Sequence, residues 1–304
     1  MSEEALNVDY AISELRYNGF MLPAYRSALA ALDLRSGMQV LDVGCGPGGL
    51  FPLLGEAVGP QGHITGVDGS QIHLDAAQEF AQQQGVQTPL TLVQADLRQP
   101  TEFADDTFDC AWCADVLWAN IFPDPMPVVR ELVRVVKPGS IIAIFFGNFY
   151  RAQYLPGYRR LEWLAGTAEN MRWKNEAPYT TPSSMTNTYE RALQWLQASG
   201  LQDCAVSIHP LLYQQPLPAA ARDYLEAYVF AEAFGPAVQE CGAAVGMSDA
   251  ERTRFQELTT PGSPDYLLDQ PDYYCLQTSV LATGRVAEVG ADEESLERKG
   301  VLPA

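Results

Sequence analysis

Val40-Leu41-Asp42-Val43-Gly44-Cys45-Gly46-Pro47-Gly48-Gly49 is the stretch on which the fold turns. An apolar run ends in a carboxylate and then passes through four glycines into what reads as a helix. Gly44, Gly46 and Gly48, at alternate positions, let the backbone approach a ligand more closely than any Cβ allows. A glycine turn between strand and helix is where an open α/β sheet holds a nucleotide-like ligand.

The glycines alone leave two ligands open, because Gly44, Gly46 and Gly49 also satisfy the dinucleotide pattern G-x-G-x-x-G. Asp42 tips the balance. A carboxylate two residues before the first glycine would repel a pyrophosphate, whereas it suits a ligand carrying an ammonium and a sulfonium. Asp-x-Gly-x-Gly-x-Gly closing an apolar strand resembles motif I of the class I S-adenosylmethionine (SAM)-dependent methyltransferases. The resemblance implies a Rossmann-like α/β fold with a seven-stranded sheet, mostly parallel with an antiparallel last strand. It also implies SAM as cofactor and methyl transfer to a small molecule.

Two further carboxylates extend the pattern. His63–Val67 reads as a second strand ending at Asp68-Gly69-Ser70, where one carboxylate can accept from both hydroxyls of a ribose. That position serves NAD equally well. Ser70 reads as the N-cap of the next helix. Leu90–Val93 is a third strand, followed by Ala95-Asp96-Leu97. Asp42, Asp68 and Asp96 therefore close three successive strands along one sheet edge, and Asp96 resembles the family position that accepts from an adenine amino group.

Phe108–Trp118 reads as strand four and the start of a helix. It resembles the F-D-x-V-x-x-x-x-V-L-H-H stretch of ubiquinone- and menaquinone-biosynthesis-type methyltransferases, with Trp118 and Ala119 replacing the histidine pair. Pro125–Val136 reads as a helix stopped by Lys137-Pro138-Gly139, and Ile141–Phe146 as a fifth, fully apolar strand. Beyond it, 148–185 and 216–260 are aromatic-rich inserts expected to form a helical cap. Val206–Leu212 and Tyr273–Gly284 read as strands paired antiparallel.

The resemblance implies cofactor contacts from Tyr17, Asp42, Gly44, Cys45, Gly46, Asp68, Gly69, Ser70, Ala95, Asp96, Leu97, Cys113 and Asp115. Candidate substrate residues are Trp118, Tyr150, Tyr154, Trp173 and Tyr213, and candidate bases for a hydroxyl acceptor are Asp115, His209 and Tyr213. The expected organisation is a helical segment over 1–37, a cofactor core over 38–147, a cap-bearing half over 148–287 and an acidic tail over 288–304. Residues 1–22 show little periodicity, and a helix is expected to start at Pro23.

Composition narrows the partners. A formal charge of −19 argues against nucleic acid and anionic membrane surfaces. No apolar run reaches the length of a membrane span, and Met1-Ser2-Glu3-Glu4 lacks the character of a secretory signal, so a cytoplasmic location is expected. Six scattered cysteines read as reduced core thiols; Cys110-Ala-Trp-Cys113 lies in a strand, where residues three apart face opposite ways. With three histidines, no metal site is expected. A SAM-binding protein without methyl transfer and a NAD-dependent oxidoreductase are the alternative readings, and oligomeric state is not legible.

Overall fold

The structure is a computed structural model that describes residues 3–119, 121–149, 152–176 and 189–288. Seven strands are hydrogen-bonded in the order β3-β2-β1-β4-β5-β7-β6: β1 Gln39–Val43, β2 His63–Asp68, β3 Leu90–Gln94, β4 Phe108–Ala114, β5 Val136–Gly147, β6 Gln202–Gln214 and β7 Tyr274–Arg285. The first five are parallel. Gly139 N–H donates to Val286 O, and Val286 N–H to Ser140 O, which sets the end of β7 beside the start of β5 and makes that pair antiparallel. Parallel strands need crossover connections, usually helical; α2 Phe51–Val58, α3 Gln71–Gln83 and α4 Met126–Val135 supply three of them, and β3 runs to β4 without a helix.

The chain divides into two compact units. The sheet unit comprises the described residues of 27–146, 186–207 and 280–304. One core there joins Leu41, Val43, Ala111 and Ile142 to Leu132 of α4 and to Trp195 and Leu196 of α6 Ala192–Ala198. Apart from Gln39, β1 is buried throughout, as a strand covered on both faces must be.

The helical unit comprises the described residues of 1–26, 147–185 and 208–279. It contains most of α1 Glu3–Ala30 and of α5 Arg159–Glu176, together with a π-helix over Tyr224–Phe234. Its core is aromatic. Phe20 stacks on Tyr224 with centroids 4.5 Å apart, and Phe149 packs against Tyr154, Tyr228 and Phe234.

Two local expectations differ from the structure. α1 is one helix from Glu3 with Pro23 inside it, not a helix beginning at Pro23. Phe20, Met21, Ala24 and Tyr25 are buried on one face, but Ile12 and Leu22, apolar and exposed, lie off it and blur the 3.6-residue signal. Lys137-Pro138-Gly139 also does not act as a stop between elements. β5 begins at Val136, directly after α4, with Val136 paired to Phe108 and Lys137 Nζ 2.7 Å from Asp109 Oδ1.

Candidate functional site

The strand ends of the sheet unit gather the carboxylates. Asp42 is the last residue but one of β1, buried to 2% exposure, with its Oδ2 lacking a hydrogen-bond partner. Burial, with Asp68 adding repulsion, pushes its pKa up to about 7. The chain then turns through Gly44 at φ +65°, Gly46 at +50° and Gly48 at +75°, conformations that a side chain rarely tolerates. A Cβ on Gly44 would stand 2.5 Å from a methyl of Val116, so the turn is also sterically closed to any other residue.

Asp68 ends β2 and binds this turn to the next helix. Its Oδ2 accepts from Gly46 N–H at 3.0 Å, and its Oδ1 from Ser70 N–H at 2.8 Å. His73 Nδ1 lies 3.4 Å from the same Oδ1. Burial would raise Asp68, but the His73 imidazole and the two amides outweigh it and hold the carboxyl below its ordinary range. Ser70 caps α3 as the sequence suggests, its side chain accepting from His73 N–H. Gly69 is held from the β3 side, where Gln94 Nε2 donates to its carbonyl, while Ala95 N–H donates to Asp68 O.

Asp96 has a different environment from its neighbours. Both its oxygens are taken by the Arg98 guanidinium, at 2.8 and 3.0 Å, in an exposed loop, and that pairing lowers its pKa. Ala95 and Leu97 on either side pack on the sheet core. Cys45 is buried in the glycine turn, its N–H donating to Val67 O. Cys113 is buried opposite Val43 in β4, and burial pushes its thiol well above the ordinary value, so it packs rather than reacts. Asp115 follows β4 in the left-handed region at φ +55°, its N–H donating to Phe145 O. Asp33, Asp106 and Asp203 share that region, which aspartate tolerates better than most residues. Trp118 is exposed, edge-on to Phe146, with its indole N–H donating to Asp115 O.

The candidates from the helical unit have partners of their own. Tyr17 packs on Tyr224 with centroids 5.7 Å apart. Tyr154, expected from sequence to wall a pocket, is a core residue instead: it is 1% exposed and donates to Gln277 Oε1. Tyr213 donates to Phe20 O at 2.9 Å, and burial pushes its phenol up to about 12, so at neutral pH it is a donor and not a base. Tyr213→Phe is accordingly expected to cost about 1 kcal/mol of stability by urea unfolding and to leave any pH–rate profile unchanged. His209 is buried in β6, and burial lowers its pKa, keeping the ring neutral. Tyr150 and the side chain of Trp173 lie outside the described residues.

Sequence reasoning did not assign the His73–Asp68 contact or the Val116 wall over Gly44. Ser70 followed three residues later by a side chain that can reach back was the available signal for the first. The second joins the end of β1 to the loop after β4, far along the chain, and no local pattern reports it.

A methyltransferase domain profile matches residues 34–198, more than half of the chain. A demethylmenaquinone methyltransferase of Anoxybacillus flavithermus is 35% identical over 169 residues, covering 52% of this chain and 69% of that protein. A rice (Oryza sativa subsp. japonica) cycloartenol-C-24-methyltransferase is 34% identical over 115 residues, covering 38% and 32%. Geranyl diphosphate C-methyltransferase of Streptomyces coelicolor, a solved structure, is 15% identical at a TM-score of 0.47, covering 86% and 79%. The chain belongs to the methyltransferase-domain family, of the class I type that uses S-adenosylmethionine. It spans about a third to a half of the length of several curated relatives it matches.

Proposed function

We propose that the protein transfers a methyl group from SAM to a small-molecule acceptor. The observation that carries the reading is Asp42, a buried carboxylate with an unpartnered oxygen beside a turn that only glycine can form. An anion buried without a partner is costly, and a cationic ligand would relieve it. A pyrophosphate would make it worse. SAM, when bound, supplies an activated methyl group.

The remaining work falls to the protein. Asp42 and Asp115 would hold the ammonium end, the Gly44–Gly48 backbone would lie against the ligand, and Asp68 would orient the ribose. Ala95, Asp96 and Leu97 would border the base, with Asp96 drawn from Arg98 if it is to accept from the adenine amino group. Trp118 offers an apolar wall to exclude water from the acceptor side. The helical unit, with its aromatic inserts, is read as the substrate-selecting part of the chain. A net charge of −19 favours a neutral or cationic acceptor over a polyanion. No helix among the described residues is long and apolar enough to cross a membrane, and a cytoplasmic location belongs to the same reading.

The test is incubation of the purified protein with methyl-labelled SAM and a small-molecule cell extract. Protein-dependent label in a new small molecule is expected. Tight S-adenosylhomocysteine binding without any labelled product would overturn transfer, and a melting temperature raised by NADH but not by S-adenosylhomocysteine would overturn the cofactor.

A further inference from the structure

β6 is the last strand in the sheet order, so among the described residues one of its edges has no neighbouring strand. Where it runs through the helical unit its side chains alternate. His209 and Leu211 are buried, while Ile208 and Leu212 are 66% and 62% exposed, with Pro210 exposed between them. β7 alternates in step: Cys275, Gln277 and Ser279 are buried, and Tyr274, Leu276 and Thr278 are exposed or half-buried. Gln215 N–H donates to Tyr273 O, which sets odd-numbered residues of the two strands side by side. Successive side chains of a strand point to opposite faces. Ile208, Pro210 and Leu212 therefore share one outward face with Tyr274 and Leu276, and the buried residues share the other.

Scattered exposed aliphatic residues need no explanation, but a contiguous strip of them marks an interaction surface. Charge points to the occupant. Residues 204–221 contain no Asp, Glu, Lys or Arg, the longest such run in the chain, and 273–284 contain none either. His209 within the first run is buried, and burial keeps its ring neutral. A cationic partner would be drawn to the acidic surface elsewhere on a chain of net charge −19, and an anionic one would be repelled. Two copies of the chain repel each other too, except where a face carries no charge. An isologous contact also requires a patch that complements itself, which an uncharged aliphatic strip does.

We propose that this face of β6 and β7 is the interface of a symmetric dimer, its occupant a second copy of this chain, with Ile208 and Leu212 of each copy at the centre. Pro210 decides how the copies meet. The odd-numbered Gln215 turns its N–H to β7, so even-numbered residues turn theirs to the open edge, where Pro210 has none to give. A proline blunts edge-to-edge pairing, and the copies pack face to face. The proposal stands apart from the SAM reading and does not depend on it.

Sedimentation equilibrium of the full chain tests it. The wild type is expected to be a dimer at about 50 μM and to tighten as NaCl is raised, because salt screens the repulsion between two acidic copies. Ile208→Lys combined with Leu212→Lys, and separately Ile208→Glu combined with Leu212→Glu, should each weaken dimerisation by at least about 30-fold, since like charges then meet across the interface. Mixing the two doubly substituted proteins should restore a one-to-one dimer, whatever the register of the contact. Trp163→Glu, at a 62% exposed position of the same unit, should leave the dimer intact. If a double variant does not fold, Ile208→Lys and Ile208→Glu alone carry the same comparison. A monomeric wild type, a dimer that loosens with salt, a dimer kept by either charged variant, a mixture that stays monomeric or a dimer lost in Trp163→Glu would each overturn the proposal.

Discussion

Asp42→Asn is expected to weaken S-adenosylhomocysteine binding by at least about 30-fold while making the ligand-free protein more stable above neutral pH. Both effects come from one buried charge. In the free protein, burial and Asp68 raise the Asp42 pKa to about 7, above the ordinary carboxyl value of 3.8. The folded chain then keeps a proton that the unfolded chain has released. The stability from that proton is fully present below about pH 4 and is lost as pH rises through about 7. The difference is worth up to about 4 kcal/mol. Urea unfolding at about pH 5 and about pH 8 should therefore show a fall in the wild type that is smaller in the variant. Parallel pH dependence in the two proteins would mean that Asp42 is not the titrating group.

The same charge shapes ligand binding. A cationic ligand beside Asp42 favours its ionised form, so binding near neutral pH releases a proton and tightens as pH rises through about 7. Titrations in two buffers of different ionisation heat measure that proton directly. The variant should release none. Proton uptake by the wild type would sink the assignment of a cation to this site, whatever the affinity.

What was legible before the structure follows from how local each signal is. The Asp42–Gly49 turn and the cap at Ser70 are written in neighbouring residues, because backbone conformation there is set by the residue itself. The ends of β1, β2 and β4 were legible because parallel strands buried on both faces leave apolar runs of strand length. Asp96 was correctly placed after β3, but its partner was not foreseen; Arg98 two residues on could equally have pointed to solvent. The helical unit was the least legible. Phe20, Tyr154 and Tyr224 are distant in sequence, and an aromatic that fills a core reads the same as one that lines a pocket until its neighbours are known. Trp163, 62% exposed, came from the same insert as the buried Tyr154.

Gly44→Ala should be the most damaging conservative change in the turn, and three variants separate its causes. Gly85 has nearly the same backbone angle, φ +66° against +65°, but nothing lies within 4 Å of where its Cβ would stand. Gly85→Ala therefore measures the left-handed backbone alone, about 1 kcal/mol. Gly44→Ala carries that cost and also drives its methyl to 2.5 and 2.9 Å from the two methyl carbons of Val116. Val116 packs against the sheet core and cannot retreat freely, which adds roughly 1–3 kcal/mol of overpacking. Val116→Ala removes the clash but carries a truncation cost of its own, so Gly44→Ala made in a Val116→Ala background should cost only the backbone component of about 1 kcal/mol. Unfolding curves for the three, with Val116→Ala as the reference for the last, test this, and a Gly44→Ala no less stable than Gly85→Ala would refute the steric wall. Binding adds the functional half. If the glycine keeps space for a ligand backbone approach, the Val116→Ala background relieves the stability loss of Gly44→Ala without relieving its loss of S-adenosylhomocysteine affinity. If both are relieved together, Gly44 serves packing alone, and Asp42 must account for the cofactor without it.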